Sequence, residues 1–243
     1  MFDGLYAMQQ IVDWITEFFS NNGSPQTKAI IGISGGKDSS VVAALCVRAL
    51  GKSRVLGVLM PNGIQHDIDV AKDLCKTLDI PHIEINISEQ VQAIYTNITQ
   101  VGLAVNETAK INTPARVRMA TLYAVSNIVG GMVADTGNLS ESWVGYFTKF
   151  GDGAGDFAPL ANLTSREVIS VGKHLGLDVK FTDKTPIDGL SGKTDEENLG
   201  FTYKELDIYI RDGICENPKA KEKIDLLNKQ SLHKRKPIPA PIF

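Results

Sequence analysis

The sequence predicts an α/β fold: a doubly wound, mostly parallel sheet with helices on both faces. Three observations carry that expectation. Short β-branched runs alternate with amphipathic helical stretches from residue 28 onward. The first run ends in a double glycine that opens straight into a helix. The chain has 243 residues, 43% of them hydrophobic, enough for a core covering both faces of a sheet. The formal charge of −3, from 25 Lys and Arg against 28 Asp and Glu, argues against a nucleic-acid binder that works by neutralising phosphates. A few placed cations would still serve an anionic small molecule.

The opening residues, MFDGLYAMQQIVDWITEFF, carry Asp3, Asp13 and Glu17 inside an apolar pattern and no basic segment. They fit an amphipathic helical lead-in over 1–27 rather than a signal peptide. Ala29 to Ile33 reads as a buried strand, and Asp38 to Leu50, with Gly51 after it, as a helix with a glycine stop. Arg54 to Met60 is a second strand, closed by Pro61-Asn62-Gly63. A helix from about Gln65 to Leu78 and a third strand, His82 to Ile87, follow. Strand, helix, strand means parallel pairing through right-handed crossovers. A helix from about Pro114 to Ile128 is expected, with Pro114 in its first turn. Gly130 to Asp135 is a fourth strand, delivering Thr136-Gly137-Asn138 to a loop.

A segment rich in glycine and acid, Gly145 to Pro159, precedes a helix from about Thr164 to Leu175. Residues 183–200 are polar and too long for a connector, which makes them a candidate lid or binding loop. Helices over Thr202 to Arg211 and Pro218 to Lys229 lead into a basic, proline-broken tail. No repeat or linker divides the chain, so one domain over 1–243 is expected: lead-in, an α/β core over 28–180, the 183–200 loop, and C-terminal helices and tail over 201–243. Cys46, Cys75 and Cys215 form no CxxC or Cys/His cluster and read as free thiols. With no apolar run of about 18 residues, no membrane segment is expected, and the cytoplasm is the expected compartment.

Ser34-Gly35-Gly36-Lys37-Asp38-Ser39 is the most informative stretch. Its glycines let backbone approach a bulky anion, and the N–H groups opening the next helix point at that anion with the helix dipole behind them. Asp38 can hold a divalent metal that bridges phosphate oxygens. A Walker A loop is excluded, because Gly32 and Gly36 enclose three residues and Asp38 follows Lys37.

The hexapeptide resembles the SGGxDS signature of the PP-loop ATP pyrophosphatases, whose fold is Rossmann-like (adenine nucleotide alpha hydrolase-like). The resemblance narrows to ammonia-dependent NAD synthetases through Asn112 to Met119, Thr136 to Glu141, Phe147 to Asp156, Lys193 to Glu196 with Leu199-Gly200, and His233-Lys234-Arg235. It implies a ligase that uses ATP to adenylate the nicotinate carboxylate of deamido-NAD, releasing pyrophosphate, after which ammonia displaces AMP to give NAD. A carboxylate oxygen will not leave by itself, and adenylation supplies the leaving group.

By the same resemblance, Gly32, Ile33, Ser34, Gly35, Gly36, Lys37, Asp38, Ser39 and Thr136 would bind ATP, and Asp38 and Glu141 would ligate Mg²⁺. Ser165 and Ile187 occupy positions where many members place an ATP-contacting Lys and a Thr or Ser. Arg166, Lys184, Lys193 and Thr194 are the neighbours that could replace those contacts. Arg116, Lys149, Asp156, His233 and Lys234 would bind deamido-NAD, and Asp152 is favoured as the acid that handles the ammonium proton. Asp135 stands where the family often has glycine. A homodimer with the dinucleotide site near its interface is implied. Residues 1–27 are too short for an attached amidase, so free ammonia is the expected nitrogen donor unless a separate glutaminase docks. The competing readings are another PP-loop ligase acting on RNA or a different acid, and a non-catalytic adenine-nucleotide module.

Overall fold

The computed structural model describes residues 2–65, 68–183 and 194–241. A four-stranded parallel sheet forms the centre, with β1 (Lys28–Gly32), β2 (Val55–Leu59), β3 (His82–Glu84) and β4 (Gly131–Val133) in the order β3-β2-β1-β4. Ile30 pairs with Leu56 on one side and Val133 on the other. The chain therefore winds outward from β1 to β3, then returns to lay β4 on the far side of β1. That reversal places a topological switch point between β1 and β4, where open α/β sheets bind ligands beyond the strand carboxyl ends.

Period-two alternation sorts the strand side chains into two cores. Ala29, Ile31 and Ile33 face α1 (Gly4–Asn22), α2 (Lys37–Leu50) and α7 (Ser165–His174), in a cluster that includes Phe19, Leu45, Val171 and Phe181. Ile30, Leu56 and Val58 face the opposite way, toward Val91 of α4 (Ser88–Gln100) and Val125 of α5 (Glu107–Val129). Each fully buried side chain of this size contributes about 1.5–3 kcal/mol relative to exposure, so both faces are firmly clad. A third cluster joins Val144 of α6 (Leu139–Val144), Leu199 of α9 (Asp195–Leu199), Leu206 of α10 (Tyr203–Asp212) and Ile224 of α11 (Pro218–Arg235). Among the described residues no helix is long and apolar enough to cross a membrane.

Several expectations are corrected. The helix α5 starts at Glu107, and Pro114 lies inside it rather than in its first turn. Asn106 is the true cap, its side chain accepting from the Ala109 N–H at 2.9 Å. An interior proline leaves the Lys110 carbonyl without its helical donor, and the Tyr95 hydroxyl donates to the Ala109 and Lys110 carbonyls at 3.4 Å. The third strand ends at Glu84, not Ile87, and α4 follows where no helix was read. The last helix runs on to Arg235, so His233 and Lys234 are helical rather than part of a broken tail. Of the 183–200 loop, the described part holds α9, capped by Thr194; Ile187, Lys184 and Lys193 lie outside the described residues.

Candidate active site

The loop leaving β1 opens at the switch point. Gly35 has φ +81°, a conformation that a side chain would strain, and Gly36 precedes α2 without offering a side-chain cap. The first-turn N–H groups of α2 consequently face outward with the helix dipole behind them, which suits an anion. Within the loop the Ser34 and Ser39 hydroxyls are 3.1 Å apart, and the Ser34 hydroxyl accepts from the Gly36 N–H at 3.2 Å. The turn is thus held by its own serines.

Lys37 is 4% exposed and its ammonium pairs with Asp38 at 2.8 Å. Burial works to lower its pKa, but the charges of Asp38, Glu141 and Asp195 outweigh burial and hold it raised. The loop leaving β4 supplies the second carboxylate. Asn138 caps α6 by accepting from the Glu141 N–H at 3.1 Å, while Glu141 accepts from the Asn138 N–H at 3.2 Å, which closes a capping box. The Asn138 amide also donates to Asp38 Oδ1 at 3.0 Å. One fully buried asparagine therefore braces both acids that the two loops deliver. Burial, and then the charge of Asp38, push the Glu141 carboxyl up to about 8 against the opposing pull of Lys37. Two carboxylates crowded this way favour a shared cation.

Thr136 sits in the same β4 loop, between Asp135 and Gly137, whose N–H donates to Asp135 Oδ1 at 2.7 Å. Burial raises the Asp135 carboxyl to about 6. Asp152 accepts from the Thr148 N–H at 2.9 Å. The half-buried Arg118 guanidinium, its pKa lowered by desolvation against the pull of the Asp152 charge, donates to the Met60 carbonyl at 3.0 Å. Lys149 donates to the His233 carbonyl at 2.7 Å, and the Arg116 guanidinium to the Lys149 carbonyl at 3.4 Å. Arg116, Lys149 and His233 are thereby joined. The Lys234 ammonium donates to the Gly145 and Phe147 carbonyls at 2.7 Å, so it binds the C-terminal end of α6 in addition to any ligand role. Asp156 stands apart at the open edge of β4, accepting from the Val133 N–H at 2.7 Å and from the Tyr123 hydroxyl at 3.2 Å.

A cavity of about 290 Å³ is lined by the cations Lys37, Arg166 and Lys204 and the acids Asp183, Asp195 and Glu196, with Ser165 among its other lining residues. Ser165 is buried at its wall, and its N–H donates to the Ser140 hydroxyl at 2.9 Å. The family described as NAD synthase matches residues 7–238. The chain belongs to the NAD synthase family. It is 38% identical, over 96% of its length and 95% of the other's, to the NH(3)-dependent NAD(+) synthetase of Pyrococcus horikoshii. Among solved structures it resembles the NMN synthetase of Francisella tularensis, with TM-score 0.91, 36% identity and full coverage of both chains. It also resembles the NH3-dependent NAD synthetase of Campylobacter jejuni, with TM-score 0.80 and 28% identity, again over both whole chains.

Within this NAD synthase family site, sequence reasoning overlooked Asn138, Thr182, Asp207 and Lys204. Asn138 had a signal, since an Asn three residues before a Glu is an N-cap pattern. The other three reach the site only through packing of α8 (Val179–Thr182) and α10 beside α7.

Proposed function

We propose that the switch-point crevice adenylates the nicotinate carboxylate of deamido-NAD with ATP and passes the acyl group to ammonia. On this reading the chain acts as an ammonia-dependent NAD synthetase, a ligase forming a C–N bond, as its curated relatives are named. The observation that carries this reading is the pairing of the Gly36 anion site with the Asp38, Glu141 and Asn138 cluster at the ends of adjacent parallel strands β1 and β4. Ser34 through Ser39 hold phosphate oxygens with backbone N–H groups, and Lys37 adds a buried positive charge. Thr136, in the adjoining loop, contacts the nucleotide.

Asp38 and Glu141 suit Mg²⁺, which takes one or two carboxylates and completes its shell with phosphates and water. Among the described residues no third acid, histidine or cysteine joins them in a metal-ligating group, so Asp38 and Glu141 are the residues that would hold the ion. When bound, the ion offsets the negative charge of the phosphates. Arg116 and Lys149 serve the phosphates of the acid dinucleotide, beside His233. Asp152, near the half-buried Arg118, receives the extra proton of ammonium, because only neutral ammonia is nucleophilic.

The acid acted on has a second reading, favoured by the full-length likeness to the Francisella tularensis NMN synthetase. On that reading the same chemistry would act here on nicotinate mononucleotide. Incubation with ATP, Mg²⁺ and ammonium, with deamido-NAD and nicotinate mononucleotide in parallel, separates the two. The expected result is AMP, pyrophosphate and NAD in equal amounts, with deamido-NAD the better acid by kcat/KM. Preference for the mononucleotide establishes the second reading, and no pyrophosphate release with either acid refutes both.

A homodimer completes the proposal. The 23-residue α5 buries only Pro114, Val125 and Ser126, while Ile111 and Ile128 on it, and Leu103 before it, are exposed. A second copy would cover some of these exposed apolar positions, and sedimentation of the pure protein should give twice the chain mass. The three free cysteines accord with a reducing cytoplasm.

A further inference from the structure

The carboxylate of Asp207, 4% exposed, reaches from α10 to the first turns of two other helices, α6 and α7. The Ser140 hydroxyl donates to Asp207 Oδ1 at 2.5 Å, and the Arg166 N–H donates to Asp207 Oδ2 at 2.9 Å. The same Ser140 oxygen accepts from the Ser165 N–H at 2.9 Å. Two of the free N–H groups that open α7 are thus taken up, one by the carboxylate itself and one through Ser140. One more bond joins the two helix starts, from the Leu139 N–H to the Leu163 carbonyl at 2.8 Å.

An ionised carboxylate meets these donors with both of its oxygens, whereas an amide would turn an N–H₂ group toward one of them. Burial raises the Asp207 pKa, and the hydrogen bonds from Ser140, the Arg166 N–H and Thr164 oppose it. A buried carboxylate is a costly way to join helices, since apolar packing of the kind that Leu206 makes beside it carries no desolvation penalty. Its position gives the carboxylate another use. Ser140 lies between Asn138, whose amide braces Asp38, and Glu141, which closes the capping box. The first turn of α6 therefore carries both the Asp38 brace and Glu141, and Asp207 fixes that turn against α7. On its own helix Asp207 comes one turn after Tyr203, whose N–H and hydroxyl donate to Glu196 and Asp195 of α9. The helix α10 is thus anchored on α9 at its start and grips α6 one turn later.

We propose that Asp207 is a positioning residue for the divalent ion: through Ser140 it holds the first turn of α6 so that Glu141 and Asp38 can share one cation. Asp207 itself touches neither substrate nor ion. The inference rests on the reading above in which Asp38 and Glu141 hold that ion. Without the contact, α6 keeps only its tie at Leu139, and groups that orient a metal-binding side chain are worth about 10- to 100-fold in metal affinity.

The test titrates the whole chain, without nucleotide, with Mn²⁺, and the loss of the free-ion paramagnetic resonance signal counts the bound ion. Asp38→Ala supplies the reference that lacks the site. Asp207→Asn and Ser140→Ala should each weaken the Asp38-dependent binding about 10-fold. In steady state each should raise the Mg²⁺ activation constant by a similar factor, with the KM for the acid substrate within about twofold of wild type. Because both act through one contact, the double variant should bind within about twofold of the weaker single variant. Leu206→Ala, which removes a fully buried apolar neighbour on α10, should lower Tm yet leave Mn²⁺ affinity within about twofold of wild type. Wild-type affinity in Ser140→Ala, additive losses in the double variant, or an equal loss in Leu206→Ala would each overturn the assignment. If Asp207→Asn does not fold, Ser140→Ala against Leu206→Ala carries the same decision. Mn²⁺ binding that survives Asp38→Ala would refute the metal reading and the inference with it, whereas Asp38-dependent binding that ignores Ser140→Ala would overturn the inference alone.

Discussion

Truncating Asn138 to alanine isolates the contact that joins the two loops of the site. The side chain is fully buried, caps α6, and donates to Asp38 at 3.0 Å. Loss of an N-cap costs about 1 kcal/mol, and loss of a hydrogen bond to a charged group about 1.5–3 kcal/mol. The sum, about 2.5–4 kcal/mol, converts at roughly 2–4 °C per kcal/mol for a chain of this size into a drop of about 5–16 °C in Tm. Asn138→Ser keeps an acceptor for the cap and deletes the donor to Asp38, so its loss should fall between wild type and alanine. Both variants should lower kcat by about 10-fold or more, since Asp38 is no longer held against the β4 loop and small displacements in a site are costly. Thermal unfolding followed by circular dichroism, paired with pyrophosphate release, measures both effects. An alanine variant that melts within about 2 °C of wild type and turns over at its rate would refute the idea that Asn138 braces the acids.

Asp38→Ala or Glu141→Ala should cut turnover by on the order of 10²-fold or more, measured as AMP formed, because each removes a carboxylate proposed to hold the metal. Asp135 provides a pH signature. Its folded pKa, about 6, lies above the usual carboxylate value of 3.8, so its favourable contribution is full below about 4 and is lost as pH rises through about 6. Asp135→Asn should flatten the stability profile in that window, and an unchanged denaturant midpoint against pH would contradict this. Gly145 ends α6 at φ +70°, and an added Cβ would lie 2.1 Å from the Ser231 Cβ. Gly145→Ala should therefore destabilise by about 2 kcal/mol or more and loosen the Lys234 clasp. Ser231→Gly in the same chain should recover part of the lost Tm.

Local pattern was enough wherever burial imposed a strict period. The β-branched runs at Ala29–Ile33 and Arg54–Met60 lie between two cores, and both were readable because every position is constrained. The glycine turn after β1 was readable because Gly35 takes a positive φ of +81°, which a side chain would strain, whereas Gly36 is in ordinary extended backbone. In contrast, α4 buries only Val91, and one anchor sets no period. Pro114 misled because proline favours helix starts in general, while here Tyr95 compensates for it from another helix.

The sequence by itself determined the α/β class and a glycine turn suited to an anion, because these follow from short-range backbone geometry and charge; the ATP-driven reaction entered through the resemblance to the NAD synthetases. Only the tertiary structure decided which residues meet. Sheet order placed the β4 loop beside the β1 loop, so that Asn138 could bridge Asp38 and Glu141 across 100 positions of chain. Packing of α7, α8 and α10 brought Arg166, Thr182 and Lys204 around one cavity, while Asp156 was assigned to the edge of β4. Such meetings depend on how elements stack over a shared core, and no local spacing encodes that distance.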